Sequence, residues 1–158
     1  MFELSSQNKR PKLLVLTAVF ASVLLLALPA RAQMTDEKID DFVEALRRAA
    51  PDTGMANDGL YSDWQIKPEN IPRWSRLCTE EEMTPAQFEA NETKARAVLA
   101  CVMGDILKQE YRNSNNEALA VRRAAAWWMS GDPNRYDTPN IAEYTEKVWN
   151  FYQEERGR

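Results

Sequence analysis

Histidine is absent from all 158 residues. Its absence removes Ser-His and Cys-His nucleophilic pairs, and with them most zinc chemistry. The five glycines form no phosphate-cradling loop, no internal repeat is present, and no segment alternates apolar and polar residues convincingly enough for a strand. Basic charge is also short: 20 Lys and Arg face 24 Asp and Glu, a net charge of −4. Phosphate backbones need a basic face, so nucleic acid is excluded as a partner, whereas a neutral polymer is not. No motif calls for a metal or a cofactor. Any hydrolytic chemistry must therefore come from carboxylates.

The N-terminus reads as targeting. Lys9, Arg10 and Lys12 precede an apolar run from Leu13 to Leu28, broken by Thr17 and Ser22. Pro29 ends the run, and Ala30-Arg31-Ala32 places small residues where a signal peptidase reads. The expectation is a cleavable bacterial signal peptide over residues 1–32, cut before Gln33, and a periplasmic or secreted product. The alternative is an uncleaved anchor, which would supply the chain's one membrane contact. Residues 33–158 remain as a single domain of about 126 residues, large enough for one core. Without Lys9, Arg10, Lys12, Arg31 and Glu3, the 20 basic residues fall to 16 and the 24 acidic to 23, so this part is more acidic still.

Two cysteines occur, Cys78 and Cys101, both in the exported part. An even count in an oxidising compartment predicts one disulfide, with two buried thiols as the alternative. Closing a loop of that size stabilises a fold by about 3 kcal/mol in the chain-entropy model.

Helix signals dominate. Thr35 caps a first helix with Asp36 and Glu37 in its first turn, and Ile39, Phe42, Val43, Leu46 and Ala50 follow at helical spacing up to Pro51. Residues 52–74 read as one long irregular loop. Thr84-Pro85-Ala86-Gln87 is a helix start with a capping box, giving a short helix to about Ala90. A longer helix opens at Thr93 and runs to about Tyr111. A polar break, Asn113-Ser114-Asn115-Asn116, separates it from another over Glu117 to Met129. Ser130-Gly131-Asp132-Pro133-Asn134 is a turn, and a last helix spans Ile141 to Glu154. The fold class expected is all-α, four to six helices with a long loop after the first.

Aromatic residues concentrate in two places: Tyr61, Trp64 and Trp74 in the long loop, and Trp127, Trp128 and Tyr136 around Gly131. Aromatic faces stack on sugar rings, and amides such as Gln65 and Asn70 bond hydroxyl and acetamido groups. Trp74 and one of Trp127 and Trp128 are expected to be core. Adjacent helix residues point about 100° apart, so the other tryptophan can line a groove.

The order of these motifs resembles the lysozyme-like domain of lytic transglycosylases, in particular the phage-associated branch. The matching residues are Trp64-Gln65, then Asn70-Ile71-Pro72-Arg73-Trp74, Met83-Thr84-Pro85 with Phe88, Ala125-Ala126-Trp127-Trp128-Met129-Ser130-Gly131-Asp132-Pro133, and Tyr144. They span roughly residues 40–152. The resemblance implies an all-α lysozyme-like fold with a groove for peptidoglycan glycan strands, Gln65 and Trp128 being carried over as groove residues, with Tyr61 and Trp64 beside them.

Two departures stand out. The family's loop has a glycine two or three residues before its glutamine, where this chain has Ser62 and Asp63. The family's single catalytic Glu belongs at the end of the first helix, where this chain has Ala50-Pro51. That Glu protonates the leaving oxygen and then serves as base for the sugar's own 6-hydroxyl. Glu44 and Asp52 are the candidate substitutes, with Asp58 and Asp63 as weaker ones. Glu44 is expected on the solvated face, paired with Arg48 at i+4. Three functions stay open: glycan binding without cleavage, a transglycosylase using Glu44 or Asp52, and a cell-envelope protein-interaction module on the same fold, its protein partner unspecified.

Overall fold

The computed structural model describes residues 33–51 and 58–158. The expected signal peptide over 1–32, and Asp52, lie outside the described residues. Those residues hold six α-helices: α1 Asp36–Ala49, α2 Ile71–Thr79, α3 Pro85–Glu89, α4 Glu92–Ser114, α5 Glu117–Ser130 and α6 Pro139–Arg156. A single 3-10 turn, Pro133–Arg135, joins α5 to α6. Among the described residues there is no strand beyond one isolated bridge, Tyr61 to Ile66. The all-helical expectation holds, with one disulfide.

Local chemistry accounts for most boundaries. The Thr35 hydroxyl accepts from the Lys38 N–H at 3.4 Å, with Asp36 and Glu37 at the positive end of α1 and Arg47 and Arg48 at its negative end. Ala50 turns to extended backbone ahead of Pro51, as a residue before proline must. The capping box of α3 is complete: Gln87 N–H donates to the Thr84 hydroxyl at 3.3 Å, and Thr84 N–H to the Gln87 side chain at 2.8 Å. Asn91 caps α4 by accepting from Lys94 N–H at 3.0 Å. The polar break narrows to Asn115, in left-handed conformation, and Asn116, which caps α5. Gly131, at φ +77°, ends α5.

The stretch 52–74 is not irregular throughout: α2 begins at Ile71. Pro72 sits in the first turn, where its missing N–H costs nothing, and so starts a helix instead of marking a loop. For the same reason α6 opens at Pro139, two residues before Ile141.

Packing follows the apolar stripes. α1 lies against α6 and α4, α5 against α4 and α6, and α2 and α3 against α4. The core gathers Phe42, Val43 and Leu46 of α1, Trp64 and Ile66 of the loop, Phe88, Leu99, Met103 and Leu107, the Ala124-Ala125 face of α5, and Val148 and Tyr152 of α6. Gly104 lets α1 and α4 approach closely, since a Cβ there would stand 3.2 Å from two carbons of Ile39. A buried carboxylate on α4 and a half-buried one on α5 are paired. Glu110 holds Arg123 at 2.5 Å, and Arg123 reaches Asn134 at 2.9 Å. Glu117 accepts from the Tyr152 hydroxyl at 2.6 Å and from Lys38 at 2.5 Å. Cys78, in the last turn of α2, is bonded to Cys101 of α4 with Cα atoms 6.0 Å apart, an ordinary disulfide span.

Candidate functional site

The loop between α1 and α2 is built around a closed four-residue turn. Tyr61 and Ile66 exchange both main-chain hydrogen bonds at 2.9 Å, and Gln65 N–H donates to the Ser62 carbonyl at 2.9 Å. Ser62 and Gln65 both adopt left-handed backbone, φ +61° and +57°. For residues with a Cβ that conformation costs about 1–2 kcal/mol each. It persists because the flanks are fixed. Ser62 N–H donates to the Glu89 carboxylate at the end of α3. Trp64 is 1% exposed, and its indole N–H donates to the Val43 carbonyl of α1 at 2.8 Å.

This arrangement divides the candidate ligand residues. Trp64 is a core residue that nails the turn to α1, so its ring offers no face to a sugar, and it leaves the ligand-facing set. Tyr61 is half-buried and packs on the core. Gln65 is half-buried, its amide donating to the Ser62 carbonyl at 3.4 Å, while its side-chain oxygen is buried without a partner. The Ser62 hydroxyl is likewise buried and unpartnered. A buried polar atom without a partner costs about 1–3 kcal/mol, so one turn holding two of them is a place to expect a ligand or water. Ser62 was legible in the sequence as a departure from the glycine of the resembling loop; its left-handed φ is the conformation glycine takes freely.

The second aromatic cluster meets α2. Trp74 is 8% exposed, as expected for a core residue, and its ring lies 5.9 Å from that of Trp128, tilted by 34°. Trp127 and Trp128 are both half-buried against the core. Tyr144, near the start of α6, has a buried, unpartnered hydroxyl, and burial pushes its phenol well above the usual range.

Glu44 is poorly suited to acid catalysis. Glu44 does not pair with Arg48 as expected. Instead its two oxygens take the Arg47 guanidinium at 2.6, 3.0 and 3.1 Å and Arg96 of α4 at 2.5 Å. Arg48 turns to α6 and holds Glu154 at 2.5 Å and Glu155 at 2.6 Å. The reason is tertiary. α4 brings Arg96 beside Glu44, and α6 brings two carboxylates beside Arg48, so each takes the nearer partner. The Arg47 hydrogen bond, reinforced by Arg96 and only partly offset by burial, holds the Glu44 carboxyl below the usual carboxylate range. A general acid needs the opposite shift. Asp63 is exposed and lies 3.4 Å from Arg47. The Asp58 carboxylate accepts from Leu60 N–H at 2.9 Å. Arg96 also stands 5.8 Å over the Trp64 ring, completing a clamp of α1, the turn and α4.

Among the described residues no group of three or more His, Cys, Asp or Glu side chains is placed to hold a metal ion, and no helix is long and apolar enough to cross a membrane. No family model, no curated protein and no solved structure matches this chain.

Proposed function

We propose that residues 33–158 are an exported, lysozyme-like helical module that engages the glycan strands of peptidoglycan without cutting them. The observation that carries the reading is the Ser62–Gln65 turn. Two strained residues and two unpartnered buried oxygens, held rigidly between α1 and α3, are a costly arrangement that a passive connection would not keep. An acetamido N–H or a sugar hydroxyl would satisfy those oxygens. Trp128, half-buried against Trp74, supplies an aromatic edge at the other motif carried over from the transglycosylase resemblance. Ser62 in a glycine-like conformation, three residues before Gln65, narrows the first departure from that family's loop. Glu44, whose anion is tied by two guanidinia, and Ala50-Pro51 at the helix end support the absence of cleavage. The disulfide suits an oxidising compartment, in keeping with the signal-peptide reading of residues 1–32.

The test is co-sedimentation of the purified protein with isolated sacculi. Gln65→Ala and Trp128→Ala should each weaken binding at least about tenfold, as central contacts do. Unchanged binding by both variants would remove the turn and the Trp128 edge from the site. A protein-interaction role is the second reading, favoured by Leu77, 74% exposed on α2, and Met129, 42% exposed beside Trp128. It predicts no sedimentation with sacculi at all.

A further inference from the structure

The nine residues of α2 are too few to be helical alone, since isolated helices shorter than about 12–15 residues are marginal in water. Asn70 makes no side-chain capping bond and the first turn holds no acidic residue, so neither local device supports it. α2 is therefore held by what it touches. Its first half is well anchored: Ile71 and Ser75 are fully buried, Trp74 packs on Trp128, and the Ser75 hydroxyl accepts from Met83 N–H at 2.9 Å. Its second half is not. Arg76, Leu77 and Thr79 are exposed, and Leu77 leaves an isobutyl group 74% in water. Within that last turn, the covalent bond from Cys78 to Cys101 is the tie to α4. Both cysteines are half-buried.

We propose that the Cys78–Cys101 bond is a redox latch on α2. Its reduction frees the last turn of α2, residues 76–79, from α4, while Ile71, Trp74 and Ser75 keep their anchors and the other long helices stay folded. The reductant is a dithiol. One thiolate attacks a cysteine sulfur and forms a mixed disulfide. The second thiol displaces it, leaving the reagent as a cyclic disulfide and both cysteines as thiols, a two-electron exchange. α1, α4, α5 and α6 keep their mutual packing and their ion pairs, none of which passes through α2. The latch stands on this geometry alone and does not depend on the glycan reading.

Hydrogen–deuterium exchange of the full chain, oxidised and then reduced with dithiothreitol, tests it. Amides of residues 76–79 should exchange on the order of 10²-fold faster after reduction, the effect expected from releasing a loop of this length. Amides of residues 36–49, 117–130 and 139–156 should not change. The double variant Cys78→Ser/Cys101→Ser, without reductant, should reproduce the reduced pattern. Unchanged exchange at 76–79 in either form would overturn the latch. So would equal acceleration of every helix, or a double variant unable to fold, because the bond would then be a staple of the whole domain.

Discussion

Trp64 and Val43 are joined by an indole N–H to main-chain carbonyl bond of 2.8 Å, deep in the core and across 21 residues of sequence. Through it the strained turn rides on α1, and the positions of Ser62 and Gln65 are set by a buried tryptophan. Trp64→Phe keeps most of the ring's burial and removes the donor. It should destabilise the protein by about 1 kcal/mol. Trp64→Ala opens a cavity and should cost about 3–5 kcal/mol. Urea unfolding of the two variants measures both, and similar losses would mean that the hydrogen bond dominates packing here.

Ser62 separates stability from function. Ser62→Gly removes both the left-handed strain and the unpartnered hydroxyl, and should stabilise the fold by about 1–2 kcal/mol. Ser62→Ala removes the hydroxyl but keeps the strain, so it should gain less. If the hydroxyl meets a glycan, both variants bind sacculi more weakly than the parent while resisting denaturant better, a trade-off common at binding sites. Weaker binding accompanied by lower stability would point to a structural role instead.

Glu44 gives the domain an acid-sensitive joint. Its folded carboxyl keeps its charge more firmly than the unfolded one, whose ordinary value is 4.5, because Arg47 and then Arg96 bond the anion. Its stabilising contribution is therefore complete above about pH 4.5 and disappears as pH falls through the lower folded value. Glu117 acts in the same direction: burial opposes its ionisation, but Lys38 and the Tyr152 hydroxyl outweigh it. Glu44→Gln should flatten the fall in stability between neutral pH and pH 3 and should leave sacculus binding intact. Loss of binding in Glu44→Gln would place the carboxylate in the ligand site.

At the alkaline end the phenols of Tyr144 and Tyr152 resist ionisation, through burial in both and through the bond to Glu117 in Tyr152. A folded acid with a raised value loses stability as pH rises past the unfolded value, 10.0 for tyrosine. A spectrophotometric titration should show two of the five tyrosines ionising only as the far-ultraviolet helix signal collapses. Smooth ionisation of all five before unfolding would contradict the packing of α6.

Caps and turns were legible because they are local. The Thr35 cap, the Thr84–Gln87 box and the Gly131 stop each depend on residues within four positions of one another. The disulfide followed from compartment and count. α2 was missed because Pro72 serves equally as a loop breaker and as a first-turn residue, and only burial of Ile71 and Trp74 decides between them. Of the partners of Glu44, Arg96 was missed because it is 52 residues away and a helical wheel sees one helix alone, whereas Arg47, at i+3, stood on that wheel and was passed over for Arg48, which the carboxylates of α6 draw away. The burial of Trp64 was not legible for a related reason: which of two adjacent residues faces inward depends on the left-handed φ of Ser62 and Gln65. Nothing in the residue types Ser and Gln announces that conformation.

The central claim is that the chain holds glycan strands and does not cut them, and one incubation with purified sacculi measures both halves. Protein in the pellet and 1,6-anhydro-muropeptides in the supernatant are quantified from the same tube. The prediction is that protein sediments with the sacculi and no anhydro product is released above the buffer control. Losing a general acid lowers rates by about 10²–10⁴, and here the same group would also have been the base. Steady release of anhydro-muropeptides, abolished by Asp52→Asn or by Glu44→Gln, would contradict the account and identify the acid it lacks.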